Sequence, residues 1–449
     1  MKNMILIENK PYLKEEEDEP PSCITLQPDS PSLAEVDSRG KSLSLTDRDE
    51  FWNDWKWQFR HRITTVDELS QHVPLSDTEK TQLKLVTLKY PLSITPYYLS
   101  LINPLDPDDP IKKQAIPSFE EIALSDMGEE DPLAEHKDMA VPGLVHRYPD
   151  RVLMVLTNLC PMLCRHCTRK REWRHGVWVR TPEQIEAMLD YVRRHKEVRD
   201  VILSGGDPLT LSTQHLEKVI SRLRQINHVE IIRIGSRFPV TLPQRINTEL
   251  CDMLSEYGPI WLNTHFNHYR EITPESAAAC DMLLRSGVPV NNQSVLLRGV
   301  NDSVEIQRKL CQGLLRIKVR PYYLYQCDEV QGTEHLRTPV ETGLQIIEGL
   351  RGHTSGLAVP TFVIDLPDGG GKVPLQPAYI LKRNKDELIL RNYEGGIFRY
   401  RNPRANGHRR HSVKTMTPAI ISKDKNESVR VPVIVTKGDM DENRVILRS

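Results

Sequence analysis

Cys160-Pro161-Met162-Leu163-Cys164-Arg165-His166-Cys167 follows an apolar, strand-like run from Val152 to Leu156. The spacing is C-x₃-C-x₂-C. Three thiolates so placed can hold three irons of a [4Fe–4S] cluster and leave the fourth iron open to a ligand. Two plainer readings compete. A zinc site takes four ligands, and His166 stands too close to Cys164 and Cys167 for an ordinary knuckle. A disulfide with one spare thiol belongs to an oxidising compartment. Spacing and context favour the cluster.

On either side of this loop, residues 150–370 alternate strand and helix signals. After Val152–Leu156, Thr181-Pro182-Glu183-Gln184 supplies an N-cap, a first-turn proline and a glutamine three after the cap. Ile185, Met188, Leu189 and Val192 then recur at helical spacing. Val201–Leu203 pairs with a helix over 213–226, and Val229–Ile234 with one over 247–256. Ile260–Asn263 pairs with a helix opened by Thr273-Pro274-Glu275, Val288–Leu297 with 303–316, and Val319–Tyr325 with 339–350. Thr361–Asp365 is a further strand. Six such units predict an α/β fold, a partial (βα)6 open barrel with its chemistry at the strand C-terminal ends. The helical N-terminal subdomain is expected to cover the open side.

The flanks read differently. Residues 1–45 carry the acidic run Glu15 to Glu19 with many Pro and Ser, and predict a disordered acidic head. Residues 46–140 form a helical N-terminal subdomain, in which aromatics from Phe51 to Phe59 lie at helical spacing and read as core. The barrel occupies 141–375 and a C-terminal extension of the core 376–402. Residues 403–449 are a basic, mostly mobile tail with one strand-like run, Val429–Val435, so that both termini are flexible.

The chain has 449 residues, with Lys+Arg 60 against Asp+Glu 61, so no net field selects nucleic acid or membrane. Eight cysteines make no disulfide scaffold. The N-terminal apolar run is too short for a signal peptide, and no stretch reaches the roughly 18 apolar residues of a membrane helix. A cytoplasmic enzyme is expected, with neither nucleic acid nor membrane as partner.

Polar residues and glycines crowd the strand exits. Ser204-Gly205-Gly206-Asp207 follows the second strand, and its glycines let backbone approach a ligand such as the amino group of S-adenosylmethionine (SAM). Asn263-Thr264-His265-Phe266-Asn267-His268 ends the fourth strand, and Asn291-Asn292-Gln293-Ser294 lies in the fifth. Each of these, taken alone, fits a satisfied core group equally well. Pro367-Asp368-Gly369-Gly370-Gly371-Lys372 does not match a phosphate loop. A lysine on a flexible turn at a barrel mouth suits a Schiff base to pyridoxal phosphate (PLP); a solvated loop lysine is the alternative. Asp328 and Asp365, just past the last two strands, can hold an ammonium or guanidinium group, or serve as caps.

Residues 141–400 resemble the lysine 2,3-aminomutase family of radical SAM, PLP-dependent enzymes. The likeness lies in His146-Arg147-Tyr148-Pro149-Asp150-Arg151, in Cys164-Arg165-His166-Cys167-Thr168-Arg169, in Ser204-Gly205-Gly206-Asp207, and in Trp261-Leu262-Asn263-Thr264-His265-Phe266-Asn267. It continues through the run from Arg320 to Asp328, the run from Gly349 to Gly356, and Gly370-Gly371-Lys372, and reaches back over the Trp-rich helices from about residue 50. The resemblance implies an open barrel of radical SAM type. It implies that Cys160, Cys164 and Cys167 bind the cluster, that Lys372 carries PLP, and that Arg147, Tyr148 and Arg151 surround the PLP phosphate and ring. Gly205, Gly206, Asp207, His265 and Gln293 would line the SAM site, Arg169 would meet the substrate carboxylate, and Asp328 and Asp365 the distal ammonium of lysine. The implied reaction moves the α-amino group of L-lysine to Cβ, giving β-lysine. Its electron would come from a one-electron reductant such as flavodoxin or ferredoxin, and the enzyme would be a homo-oligomer. Two alternatives stand: a mutase for arginine or another amino acid, and a degenerate relative serving as a binding scaffold. Glutamate is disfavoured, because two aspartates repel its side chain. The chain also departs from the family. The cysteines that bind a structural zinc in relatives are missing, since Asn301-Asp302 is followed by Ser303 and the last cysteine is Cys327; no structural zinc is expected. The cluster loop carries an inserted Arg174-His175-Gly176-Val177-Trp178.

Overall fold

The computed structural model describes residues 50–403. The expected acidic head and nearly all of the basic tail, including Val429–Val435, lie outside the described residues. Ten strands form one sheet in chain order: β1 Met139–Val141, β2 Leu144–Tyr148, β3 Arg151–Val155, β4 Asp200–Ser204, β5 Ile231–Gly235, β6 Ile260–Thr264, β7 Val290–Leu296, β8 Arg320–Gln326, β9 Thr361–Leu366 and β10 Gly371–Leu375. From β3 to β9 every neighbouring pair is parallel. Between successive strands run the helices Pro182–Arg194, Thr213–Arg224, Thr248–Glu256, Pro274–Arg285, Val304–Arg316 and Val340–Leu350. The fold is therefore the partial (βα)6 barrel, and each helix returns the chain so that all parallel strands point their C-terminal ends at one mouth.

Local chemistry explains the elements. The Thr181–Gln184 capping box forms, and Ile185, Met188, Leu189 and Val192 are all buried against the sheet. The sequence reading overextends two strands. Val229 and Val288 are apolar and buried, but each docks a helix end: Val229 N–H donates to Ile226 and Val288 N–H to Leu283.

Two antiparallel edges were not foreseen. β2 pairs with β3, and β10 folds back on β9 through a turn in which Asp368 adopts a left-handed conformation (φ 55°). Lys372 thus sits on a strand opposite Asp365, not on a flexible turn. β10 carries Pro374 and exposed side chains, as an edge strand tolerates.

The two edges approach each other. Lys372 N–H of β10 donates to the Tyr148 hydroxyl of β2 (3.0 Å), and Asp368 N–H, in the turn before β10, donates to Pro132 O ahead of β1 (3.1 Å). These contacts bridge the seam that the N-terminal helices were expected to cover. The helices between 50 and 123 instead pack on the mouth. Thr95 Oγ1 donates to Thr241 O (2.6 Å), Tyr98 to Glu271 (2.6 Å), and Arg165 of the cysteine loop to Glu121 (2.6 Å). The seam is narrow enough for two edge strands to bridge, whereas the mouth leaves polar loops that need partners. Trp55 and Phe59 are buried in the same apolar core as the barrel residues.

A second sheet, β11 Ile380–Arg383, β12 Glu387–Arg391 and β13 Ile397–Arg401, lies beside the helix Val340–Leu350, tied by Arg391 to Glu348. Its Ile380, Ile397, Phe398 and Tyr400 are exposed.

Candidate active site

At the C-terminal mouth a cavity of about 570 Å³ opens. Every site residue named from the sequence lines it: the three cysteines, Arg147, Tyr148, Arg151, Arg169, Gly205, Gly206, Asp207, His265, Gln293, Asp328, Asp365 and Lys372.

The cysteine loop leaves β3 and is clamped by the loop after β4. Gly206 N–H donates to Thr157 O (2.5 Å) and Asp207 N–H to Leu159 O (2.6 Å). A Cβ at Gly205 would collide with Thr157 O, and one at Gly206 with Leu159 O. The two glycines let two backbones pass in contact, so the amides of Gly206 and Asp207 serve the cysteine loop rather than a ligand. The Asp207 carboxylate accepts from Ser236 Oγ (3.0 Å), Arg237 N–H (2.7 Å) and Leu209 N–H (3.1 Å). Burial pushes its acid up to about 7 against those donors.

All three cysteines are free and half-buried, facing the cavity. Burial raises the thiols of Cys160 and Cys167, the latter to about 11, so without a bound cation they are neutral. Bound iron would favour their thiolate forms. Among the described residues no trio of His, Cys, Asp or Glu closes around a single ion. Two donors already face the sulfurs: Arg237 Nη1 to Cys164 Sγ (2.8 Å) and Arg169 N–H to Cys167 Sγ (3.4 Å). Beneath the loop, Glu121 is fully buried and paired with Arg165 (2.6 Å) and Lys170 (2.8 Å). Burial would raise its acid, but the two cations outweigh that and hold it near 2.

His265 Nδ1 lies 2.8 Å from Gln293 O. Burial first and the Arg237 charge second lower its imidazole to about 4. A neutral ring donating through Nδ1 leaves Nε2 as an acceptor.

The Arg169 guanidinium is held on two sides, by Glu135 (2.6 Å) and by Ser204 Oγ (3.3 Å) and Gly205 O (3.0 Å). Asp365 pairs with Lys372 Nζ at 2.9 Å. Burial, then the Asp365 charge, pushes the Asp328 acid up to about 7. Arg151 pairs with Asp150 (2.8 Å) and stacks over Tyr148, 4.0 Å to the ring centre. Lys372, Tyr148 and Arg151 therefore form one corner of the cavity, with a reachable amine, an aromatic hydroxyl and a cation. This set fits PLP.

Several lining residues escaped the sequence reading. Arg237 and Ser236 follow β5, whose polar exit was the one signal that could have found them. Arg233, paired with Asp200 at 2.8 Å, and Tyr322 and Tyr323 point inward from strand interiors, where a polar residue reads as an ordinary alternation.

An open α/β barrel with three thiols on the loop after its first parallel strand is the architecture of a radical SAM enzyme, and residues 154–309 match the sequence profile of the Radical SAM superfamily. Residues 347–443 match the profile described as Lysine-2,3-aminomutase. The chain is 55% identical to the L-lysine 2,3-aminomutase of Clostridium subterminale over 79% of this chain and 85% of that one. It is 54% identical to the corresponding enzyme of Acetoanaerobium sticklandii (79% and 86%) and 45% identical to the glutamate 2,3-aminomutase of Clostridioides difficile (79% and 84%). The chain belongs to the lysine 2,3-aminomutase family. It is thus a radical SAM isomerase that takes an amino acid and works with a [4Fe–4S] cluster, SAM and a one-electron reductant. Among the described residues no helix is long and apolar enough to cross a membrane.

Proposed function

We propose that this enzyme converts L-lysine to β-lysine, with PLP on Lys372 and the cluster on Cys160, Cys164 and Cys167. The observation that carries the substrate choice is the pair Asp328 and Asp365 lining the cavity that also holds Lys372. In the structure the Lys372 ammonium neutralises Asp365. With PLP on Lys372, its ammonium would not be available to pair with Asp365, and two carboxylates in a buried site favour another cation. The distal ammonium of lysine supplies it. Glutamate would bring a third negative charge to the same place, the arrangement an acidic pocket rejects.

The other residues divide the remaining work. Arg169, held at the cavity wall by Glu135, Ser204 and Gly205, would meet the substrate α-carboxylate by giving up one of those contacts. Arg147, Tyr148 and Arg151 position PLP at the seam, and His265 and Gln293 line the space for SAM. Bound there, the cluster with SAM supplies hydrogen abstraction at Cβ, and PLP supplies the π-system across which the amino nitrogen moves. A cytoplasmic location, with flavodoxin or ferredoxin as reductant, fits this reading.

The test is isotopic. L-Lysine deuterated at C3, incubated anaerobically with reconstituted enzyme, should give β-lysine that carries deuterium at C2. Solvent hydrogen alone at C2, or no β-lysine, would overturn the proposal.

A further inference from the structure

We propose that Arg237 is a positioning residue for the iron–sulfur cluster, setting its reduction potential through a charge-assisted hydrogen bond to Cys164. The inference rests on Cys164 holding a cluster iron. Arg237 lies outside the cysteine motif, at the exit of β5, and is almost wholly buried, with 7% of its surface exposed. Its fork is completely specified. Nη1 donates to Cys164 Sγ (2.8 Å), Nε to His265 O (3.0 Å), and Nη2 to Gln114 Oε1 (2.6 Å) and Glu271 Oε1 (2.8 Å), with the Tyr98 hydroxyl at 3.5 Å. Its own backbone N–H is fixed by Asp207 (2.7 Å). The guanidinium therefore cannot swing away from the sulfur without breaking several buried contacts.

Hydrogen bonds to the sulfurs, net charge and solvent exposure set the potential of such a cluster. Reduction adds negative charge, and a fixed cation beside one ligand sulfur stabilises the reduced form. The effect is larger in a buried site than in water. Glu271 moderates the charge but is itself occupied by Tyr98 and by the amides of Asn267 and His268. The arrangement follows the general pattern in which partners beyond the ligands tune a metal centre.

Two measurements test this. In Arg237→Gln, matched to wild type in iron content, the reduced-to-oxidised ratio at a fixed poise should fall about tenfold, a shift of about 59 mV for a one-electron couple. Arg237→Lys, which keeps the charge, should shift less. An unchanged midpoint in Arg237→Gln overturns the proposal. The second measurement can refute the proposal on wild-type enzyme alone. Wild-type enzyme carrying arginine labelled with ¹⁵N at the guanidino nitrogens should show a weak ¹⁵N coupling in pulsed EPR of the reduced cluster. Its absence also overturns the proposal, whereas a coupling lost in Arg237→Lys supports it. A wild-type chain that takes up no cluster would instead refute the assignment of Cys164 as a ligand, a distinguishable failure.

Discussion

Replacing Asp328 with Asn removes one of the two carboxylates proposed to select the substrate while keeping its shape. The structure sets the size of the effect. The Asp328 acid is pushed to about 7, by burial and then by Asp365, with the Lys372 ammonium offsetting part of the rise, so near neutral pH about half of it is ionised before substrate arrives. A charge-assisted contact contributes about 1.5–3 kcal/mol. At about 1.4 kcal/mol per decade, its loss should lower kcat/KM for lysine about tenfold to a hundredfold. For 2-aminohexanoic acid, which has the lysine chain without the ammonium, the change should be small. The pH profile carries a second signature. Protonated Asp328 predominates below about pH 7 and cannot pair with an ammonium, so wild-type kcat/KM for lysine should fall as pH drops through 7. In Asp328→Asn that acid limb should disappear. Steady-state assays with both amino acids under anaerobic conditions, across pH 6 to 8.5 (a range of about one to two units around the raised acid), decide the matter. Equal losses on the two substrates, with the acid limb intact, would rule out Asp328 as a cation contact.

Three further outcomes follow from particular contacts. Borohydride reduction should fix a pyridoxyl group on Lys372, and Lys372→Ala should lose both the label and activity; a label on another lysine contradicts the assignment. Glu121→Ala leaves Arg165 and Lys170 buried without their carboxylate and should cost about 3–5 kcal/mol, read as a lowered unfolding midpoint. Because Glu121 is held near 2, below its ordinary 4.5, its stabilising share is present above 4.5 and lost only as pH falls toward 2, so the wild-type advantage should shrink in strong acid. Gly206→Ala forces a methyl group into Leu159 O and should displace the cysteine loop, seen as iron content well below wild type after reconstitution.

Periodicity made the barrel legible. The Thr181–Gln184 box and the Ile185, Met188, Leu189, Val192 stripe specify a helix because each local signal agrees with the burial that follows. What was not legible depends on contacts far apart in sequence. β10 is exposed and holds a proline, so nothing in its pattern distinguishes it from a loop; only its pairing with β9 sets Lys372 opposite Asp365. The cysteine spacing announces a cluster, yet Arg237 stands 73 residues beyond Cys164, and only the fold brings its fork to that sulfur. The Gly205-Gly206 pair showed the need for close backbone approach but not the partner, which proved to be the cysteine loop itself. The cover expected over the open side failed for a similar reason, since the narrowness of the seam is a property of the folded sheet.

Competition in a single vessel tests substrate choice most directly. With lysine, arginine and glutamate at equal concentrations, the initial product ratio reports the ratio of kcat/KM values for the three. β-Lysine should be the main product, β-arginine a minor one, and β-glutamate the least. A mixture dominated by β-glutamate would contradict the reading of Asp328 and Asp365 as a cation site.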